Sequence, residues 1–425
     1  MSLHTLMFGW EYPPRCLGGL GVACQGLVRG LLKNNVKVTL VLPFSGAEEV
    51  NEVDIRFPTK EHVEMIQIQS MLLPYDSEES FAERIVSIPR ETMHMYGDDL
   101  GHAVHLFTET SVAVTEKINP DVIHCHDWMT YDAAVKVSKT KDRPLVAHIH
   151  ATELDRTHFH PNEWIYQRER SGFKSANRII AVSQYTKNIL VQHYGIDGDK
   201  ITVVHNGTDE TVTQEAPYVP VHHQTDVERP LQSIIPTGKK HPLVLFLGRL
   251  TIQKGPRHFL QMAAAVHKFR PDVQFIVAGD GHMLPSLMKE AVHLGLQDCM
   301  VFAGKVSGTE ARKLFLQADC FVMPSLSEPF GLVALEAVAG KTPVIVSKQS
   351  GVSEVLGHAF KVDFWDTEKM ADCVLTVLRE TPLAHQLMSE APRILQKLTW
   401  GNQAGHVRSI YEDLLRNNPP PMIQA

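Results

Sequence analysis

Short apolar runs rich in β-branched residues alternate with amphipathic, helix-compatible stretches along this chain of 425 residues, and this alternation restricts its fold most. Strands that are apolar throughout are buried on both faces, as in a parallel sheet whose crossover helices cover both sides. The pattern therefore predicts an α/β fold built on doubly wound, Rossmann-like sheets. In the first half, the predicted strands are Leu3–Phe8, Lys37–Leu42, Val122–Cys125, Leu145–Ile149, Arg178–Val182 and Ile201–Val204, with helices such as Gly21–Leu32 and Ser183–His193.

The stretch 208–240 interrupts the alternation. It carries Pro217, Pro220, Pro230 and Pro236 without a sustained period, so we expect an irregular connector. The strands predicted after it are Leu243–Leu247, Val273–Ala278, Met300–Phe302, Cys320–Met323 and Val344–Val346, with helices Gly255–Phe269, Leu284–Leu294, Thr309–Gln317 and Phe330–Ala339. We therefore predict two domains, 1–207 and 241–395, that face a shared cleft, because doubly wound sheets bind ligands at the carboxyl ends of their strands.

The composition favours a globular protein without a nucleic-acid partner. The chain is 44% apolar and 21% charged, and its net charge of -7 is unsuited to binding a nucleic-acid backbone. No signal-peptide pattern opens the sequence, and no apolar run approaches the ~20 residues of a membrane span. The scattered cysteines include no CxxC pair, which predicts buried, reduced thiols and a cytoplasmic location. They are Cys16, Cys24, Cys125, Cys299, Cys320 and Cys373.

Glycines and basic residues follow the first predicted strand of each domain. Gly18-Gly19-Leu20-Gly21 precedes the first helix, where glycines let backbone amides approach a phosphate, although a purely structural turn has the same pattern. In the second domain, Arg249 and Lys254 follow the strand Leu243–Leu247. A guanidinium and an ammonium at one strand end suit a diphosphate, whereas solvated surface charges are the alternative interpretation.

The segment from Glu328 to Glu336 is the most specific of these signals. It follows the predicted strand Cys320–Met323 and enters a helix that we expect to begin near Pro329, whose first amides can face an anion. Glu336 lies among apolar residues, where a carboxylate needs partners, and sugar hydroxyls are suitable ones. A structural pairing of Glu336 with the backbone or with an arginine is the alternative.

Histidines follow two strands of the first domain, His124 and His126 before Asp127, then His148 and His150. Alternate residues of a strand point the same way, so this spacing suits a metal site as well as hydrogen bonding in a polar cleft. Closed structural zinc sites favour cysteine, and the sequence has no cysteine cluster, so we favour hydrogen bonding. We therefore expect neither a metal nor another cofactor.

Taken in this order, these segments resemble the glycogen synthases and other retaining GT-B glycosyltransferases (glycosyltransferase families 4 and 5), including the sucrose-phosphate synthases. The resemblance extends over residues 3–357, and two glutamates separated by seven residues, Glu328 and Glu336, are its best-known mark. Further matching motifs are Ser183-Gln184-Tyr185, His205-Asn206-Gly207 and Ala278-Gly279-Asp280-Gly281. The resemblance implies a GT-B enzyme whose final segment, 396–425, sends a helix (Trp400–Leu415) back across the first domain.

The resemblance also implies roles for individual residues. The second domain would bind a nucleotide sugar and the first most of a carbohydrate acceptor, with retention of anomeric configuration and without a metal. The diphosphate would be held by Arg249 and Lys254. The implied catalytic residues are His150, Arg249, Lys254 and Glu328; the donor-binding residues are Gly18, Gly19, Phe330, Gly331, Leu332 and Glu336; and Asp127 would face the acceptor.

The sequence leaves the donor and the acceptor open. Synthases that use ADP-glucose carry a lysine two residues before the paired glycines, whereas this chain has Cys16 there, so UDP-glucose and ADP-glucose are both candidates. An α-glucan is the favoured acceptor. The alternatives are a lipid or small-molecule acceptor, a nucleotide-sugar 2-epimerase, and a sugar-binding scaffold without activity. No basic amphipathic helix stands out, which weighs against a membrane acceptor.

Overall fold

The computed structural model describes residues 3–12, 19–44, 54–56, 64–69, 99–208 and 241–417. Cys16, Gly18, most of the predicted connector and the tail 418–425 lie outside these ranges. The described residues form two sheets with helices on both faces, which confirms the predicted α/β fold with two Rossmann-like units.

The first sheet has eight strands among the described residues, in the order β3-β4-β2-β1-β5-β6-β7-β8. These are β1 (Leu3–Phe8), β2 (Val36–Phe44), β3 (Asp54–Arg56), β4 (Glu64–Gln69), β5 (Val122–His126), β6 (Leu145–Ile149), β7 (Arg178–Ala181) and β8 (Ile201–Val203). All pairs are parallel except the one at the edge, where β3 runs antiparallel to β4. Every residue of β5 and β6 is buried, including His124, His126 and His148, so neither strand has a solvent-facing side.

Six helices accompany this sheet in the described ranges. They are α1 (Gly19–Lys33), α2 (Leu100–Val114), α3 (Trp128–Lys141), α4 (Glu153–Arg156), α5 (Glu163–Ser175) and α6 (Gln184–Tyr194). Several begin where the sequence supplies a cap. Ser183, for example, precedes α6 and accepts a hydrogen bond from the backbone N–H of Thr186.

The second sheet is entirely parallel, in the order β11-β10-β9-β12-β13-β14. Its strands are β9 (Leu243–Leu247), β10 (Gln274–Ala278), β11 (Met300–Gly304), β12 (Cys320–Met323), β13 (Val344–Ser347) and β14 (Phe360–Val362). The helices that follow in chain order are α7 (Pro256–Phe269), α8 (Leu284–His293), α9 (Gly308–Gln317), α10 (Leu332–Ala339), α11 (Thr367–Arg379), α12 (Thr381–Ser389), α13 (Ala391–Lys397) and α14 (Trp400–Asn417).

The predicted start of α10 was wrong. Helix α10 begins at Leu332, and not near Pro329. Gly331 precedes it with a φ of 111°, a backbone conformation that glycine adopts far more readily than other residues. The chain therefore turns at this glycine, and Pro329 belongs to the loop before the helix.

Helix α14 packs on the first sheet although it follows the second one in the chain. Trp400, Ala404 and Tyr411 join the hydrophobic core on the α1 side of the first sheet. Glycine at position 26 makes the close packing of α1 and α14 possible, because a Cβ there would lie 2.2 Å from the Trp400 ring. This hydrophobic core is thus completed by a helix that lies more than 350 positions after α1 along the chain.

Cys24, Cys125, Cys299, Cys320 and Cys373 are free thiols and are buried, as predicted, whereas Cys16 lies outside the described residues. Burial raises the pKa of Cys24 to about 12, so this thiol stays protonated. Among the helices that the structure describes, none has the length and apolar character that a membrane crossing requires.

Candidate active site

The turn that carries Arg249 lies at the carboxyl end of β9 and is held in place by the loop after β10. Gly248 donates its N–H to the carbonyl of Ala278, and Leu250 donates to that of Asp280. Gly279 allows this contact, because a Cβ on it would lie 1.9 Å from the Gly248 carbonyl oxygen. Arg249 itself is half-buried. The Ala278–Gly281 motif is therefore a support for the Arg249 turn.

Lys254 ends a short 3₁₀ turn and forms an ion pair with Glu328. Its Nζ lies 2.6 Å from Glu328 Oε2, and both side chains are largely buried, with 21% and 8% of their surface exposed. Gly255 permits this pairing, since its φ is 68° and a Cβ there would lie 2.0 Å from the Pro324 carbonyl oxygen. The structure thus brings together two predicted catalytic residues that are 74 positions apart.

The loop that holds Glu328 is fixed through its backbone. Glu328 donates its N–H to the Gln349 carbonyl and accepts from the N–H of Gly351, each at 2.9 Å. A Cβ on Gly351 would lie 2.2 Å from the Pro329 carbonyl oxygen. Gly351 was not among the predicted site residues, because nothing in its local sequence shows that it lies against the Glu328 loop.

The predicted donor residues Phe330, Gly331 and Leu332 lie at the start of α10, where unpaired helix amides attract negative charge. Gly19, the first residue of α1, faces this point from the other domain: a Cβ on it would lie 3.8 Å from Leu332 Cδ1. Two helix N-termini therefore approach one another across the cleft. In α1, the N–H of Gly21 is already donated to Glu11, at 3.0 Å.

Glu336 differs from its prediction. It is exposed on α10, where a residue buried among apolar neighbours was expected. No other described residue forms a hydrogen bond or ion pair with its side-chain carboxyl group, although its backbone carbonyl accepts the N–H of Gly340. Enough protein nevertheless surrounds its carboxyl for desolvation to raise its pKa to about 7. An accessible carboxyl with a raised pKa fits a residue on the wall of a cleft, and the alternative interpretation, a structural pairing with a backbone group or an arginine, has no such partner among the described residues.

This pKa makes ligand binding at Glu336 sensitive to pH. A carboxylate accepts stronger hydrogen bonds than a neutral carboxyl, and Glu336 gains its charge as pH rises through about 7. If Glu336 binds the ribose hydroxyls of a nucleotide sugar donor, we expect the Kd of that donor to fall about fivefold between mildly acidic and mildly alkaline pH. This change corresponds to roughly 1 kcal/mol of binding free energy. Calorimetry with a nucleotide sugar measures this, and Glu336→Gln should abolish the change. An unaltered pH dependence in Glu336→Gln would contradict the contact.

The four histidines lie side by side at the carboxyl ends of β5 and β6. His124, His126 and His148 are at most 3% exposed, and His150 is half-buried. Ring nitrogens of the first three lie within 4.8 Å of one another, so they are the described residues best placed to hold a metal ion. Their contacts are those of hydrogen-bonded rings, with His126 Nδ1 at 2.9 Å from His150 Nε2 and His124 Nε2 at 3.3 Å from His148 Nδ1.

Asp127 supports His150. Its Oδ1 accepts the backbone N–H of His150 at 2.7 Å, so one carboxylate oxygen is committed within the protein. Asp127 has φ 58° and ψ 170°, a region that residues other than glycine rarely adopt. Strained backbone of this kind clusters at functional sites, where surrounding contacts hold it in place.

The domains also meet through contacts that the sequence did not predict. Ser327 donates to Asp155 Oδ1 at 2.5 Å, which ties the residue before Glu328 to the first domain. Glu354 accepts the first two backbone N–H groups of α6, those of Gln184 and Tyr185, at 2.9 and 2.6 Å. The Ser183-Gln184-Tyr185 motif was identified from the sequence. Its partner Glu354 was not, since Glu354 lies at a distant position in the other domain.

Two family models match the chain. The model of glycosyl transferases group 1 matches residues 229–393, and that of glycosyltransferase family 4 matches residues 17–212. The first match covers all six strands of the second sheet with Arg249, Lys254 and both glutamates, and the second covers the first sheet from β2 to β8 with the histidines.

Curated relatives align over most of the chain. An uncharacterised glycosyltransferase of Methanocaldococcus jannaschii is 28% identical over 418 residues, covering 96% of this chain and 98% of that protein. The glycogen synthase of Mycobacterium tuberculosis is 26% identical over 446 residues, covering 99% and 97%. A D-inositol 3-phosphate glycosyltransferase of an Arthrobacter species is 32% identical over 289 residues, covering 64% and 65%.

Solved structures share the fold. Sucrose-phosphate synthase from Thermosynechococcus elongatus has a TM-score of 0.76 at 19% identity, covering 98% of this chain and 100% of that one. HepE of Anabaena in complex with UDP-glucose has a TM-score of 0.66 at 19% identity, covering 96% and 99%. Fold and site together define a glycosyltransferase of the GT-B class. Within that class, the chain is a glycogen synthase-like enzyme.

Proposed function

We propose that this enzyme transfers glucose from a nucleotide diphosphate sugar to an α-glucan, with retention of anomeric configuration and without a metal. The observation that carries the proposal is the ion pair of Lys254 with Glu328 at the entrance to α10, where Gly19 approaches from the other domain. Cationic and anionic groups meet there beside two helix N-termini, which suits a ligand that joins a diphosphate to a sugar.

The chemical problem is to break a sugar–phosphate bond. Negative charge grows on the leaving phosphate oxygen while positive charge grows on the anomeric carbon. Arg249 and Lys254 stabilise the first charge, because fixed cations that meet charge as it develops lower the barrier. A phosphate oxygen takes the proton of the acceptor hydroxyl on the same face of the sugar, which retains the configuration.

The remaining groups orient the donor. Glu328 and the backbone of Phe330, Gly331 and Leu332 contact the transferred sugar, with His150 beside it. Glu336 binds the ribose hydroxyls, and Gly19 approaches the distal phosphate when the cleft closes. In this proposal the second sheet belongs to the donor domain, and the first sheet, with Asp127, to the acceptor domain. A cytoplasmic location is part of the same proposal.

The donor's nucleotide is proposed from two further observations. The UDP-glucose complex of Anabaena HepE supports a nucleotide glucose as donor. Cys16 replaces the lysine of synthases that use ADP-glucose, so we place UDP-glucose first and ADP-glucose second. The acceptor proposal follows the Mycobacterium tuberculosis glycogen synthase, which aligns over 99% of this chain.

A small-molecule acceptor is the second candidate. It is favoured by the Arthrobacter D-inositol 3-phosphate glycosyltransferase. That enzyme has a higher sequence identity to this chain, 32%, than the Mycobacterium tuberculosis glycogen synthase, although its alignment is shorter. An α-maltose-1-phosphate synthase of Mycolicibacterium smegmatis, 28% identical over 315 residues, also supports a small-molecule acceptor.

One assay separates these functions. Radiolabelled UDP-glucose or ADP-glucose is offered with glycogen, maltooligosaccharides, glucose 1-phosphate or inositol 3-phosphate, and the product is identified. We expect elongated glucan that an α-glucosidase degrades. Label on a small phosphorylated acceptor would replace the glucan proposal with the second candidate. Conversion of the donor to its 2-epimer without any acceptor would overturn glycosyl transfer itself.

A further inference from the structure

Ser327, the residue before Glu328, directs its side chain from the second domain into the first. Glu328 forms a parallel bridge with Ser350, so the chain is extended at this point. In an extended chain, neighbouring side chains point to opposite sides. Accordingly, the Glu328 carboxylate lies against Lys254 within its own domain. The Ser327 hydroxyl lies against Asp155 in the other domain.

Among the described residues, both hydrogen-bond partners of the Ser327 hydroxyl belong to the first domain. Ser327 donates to Asp155 Oδ1 at 2.5 Å, and its Oγ lies 3.0 Å from the Tyr185 hydroxyl. A serine hydroxyl has a single proton, which is directed at Asp155, so Tyr185 donates to Ser327. Ser327 and Asp155 are buried, so bulk water does not compete for the hydrogen bond between them.

Asp155 is held in a fixed place where it meets Ser327. It completes the capping box of helix α4, in which its Oδ2 accepts the backbone N–H and the hydroxyl of Thr152, at 2.8 and 2.7 Å. Glu169 accepts the backbone N–H of Glu153, the first residue of the same helix, at 2.9 Å. The capping box occupies one carboxylate oxygen of Asp155, which leaves Oδ1 for a partner in the other domain.

We propose that Asp155 is a positioning residue for glycosyl transfer. By accepting the Ser327 hydroxyl across the domain boundary, it fixes the adjacent Glu328. The Glu328 carboxylate is thereby held where it pairs with Lys254 and contacts the transferred sugar. Asp155 acts through Ser327 and touches no reacting atom. This inference rests on the proposed function, in which Glu328 contacts the sugar of the donor.

Ser327→Ala and Tyr185→Phe provide a matched test. Each removes one hydroxyl from the same contact, but only Ser327→Ala releases the Glu328 loop from Asp155. Ser327→Ala leaves the capping box of α4 intact, and thermal unfolding of the full-length protein checks that it folds. Asp155→Ala and the double variant with Ser327→Ala show whether Asp155 acts through Ser327.

In Ser327→Ala, in Asp155→Ala and in the double variant, we expect kcat to fall about tenfold, because the same hydrogen bond is lost in each. Tyr185→Phe should keep a near-parent kcat. Calorimetry with UDP, or with ADP if the transfer assay selects the adenine donor, should give a parent-like Kd in Ser327→Ala, since the nucleotide alone carries no sugar for Glu328 to contact. An equal loss of nucleotide affinity would indicate a general distortion of the second domain and would overturn the inference.

Other outcomes overturn it as well. They are a parent-like kcat in folded Ser327→Ala, an equal loss in Tyr185→Phe, or losses that multiply in the double variant. Glu328→Ala separates this inference from the proposed function. A low kcat in Glu328→Ala beside a parent-like kcat in Ser327→Ala overturns the inference alone, whereas a parent-like kcat in folded Glu328→Ala contradicts the proposed role of Glu328 and the inference together. Each kcat is measured with the acceptor that the transfer assay identifies, so failure of the glucan proposal leaves the comparison intact.

Discussion

The Arg249→Ala variant is expected to catalyse glycosyl transfer roughly 10²–10³ times more slowly than the parent enzyme, a loss of about 2.7–4 kcal/mol in transition-state stabilisation. The reason is that Arg249 is half-buried on a turn fixed by the loop after β10, so its charge is already in place when the phosphate leaves. Steady-state kinetics with saturating donor measure the effect on kcat. Because the interaction strengthens in the transition state, kcat should fall more than donor affinity does.

Arg257→Ala is the matched control. Arg257 lies on α7, is 53% exposed and pairs with Glu290, so its removal should change stability by no more than about 0.5 kcal/mol and leave kcat unchanged. Near-parent kcat in a folded Arg249→Ala variant would remove Arg249 from the chemistry. Equal losses in both variants would indicate a general effect of lost positive charge.

Gly279→Ala is expected to destabilise the protein by about 2–6 kcal/mol. The φ of Gly279 is 133°, and forcing alanine into such a conformation costs on the order of 1–3 kcal/mol. The new Cβ would also lie 1.9 Å from the Gly248 carbonyl oxygen, and overpacking typically costs about 1–3 kcal/mol more. Urea unfolding measures the loss, provided that the transition stays cooperative.

Gly357→Ala controls for this substitution. No atom of the described residues lies within 4 Å of a Cβ at that position, so the change should be within about 0.5 kcal/mol. Because the loop of Gly279 supports the turn of Arg249, the Gly279→Ala variant should also lose turnover at temperatures where it remains folded. Parent-like stability in Gly279→Ala would show that the loop relaxes without strain.

The strands were the most predictable elements. Leu145–Ile149, Leu243–Leu247 and Cys320–Met323 have the predicted bounds, because buried strands of parallel sheets are runs of mainly apolar residues. The start of α10 was missed, since proline suits a first helical turn in general while the actual turn depends on Gly331. The exposure of Glu336 was missed as well. Its neighbours along the helix are apolar, but the residue itself is exposed.

For the candidate site, motifs identified residues but not their partners. The sequence singled out Lys254 and Glu328 as separate signals, and only the folded chain shows that they form an ion pair 2.6 Å long. Asp155, Gly351 and Glu354 were not predicted, although each fixes the Glu328 loop or the domain contact beside it. Their importance depends on residues at distant positions.

The sequence by itself determined the local properties of this protein. Runs of β-branched residues, glycines at turns, and cations after a strand reflect the conformational preferences of neighbouring residues. Such local preferences can be inferred from the order of residues along the chain. The tertiary structure decided which of these pieces meet. The Lys254–Glu328 pair, the stacked histidines and the packing of α14 on α1 all join distant positions, and such contacts depend on how two sheets and their loops pack in space.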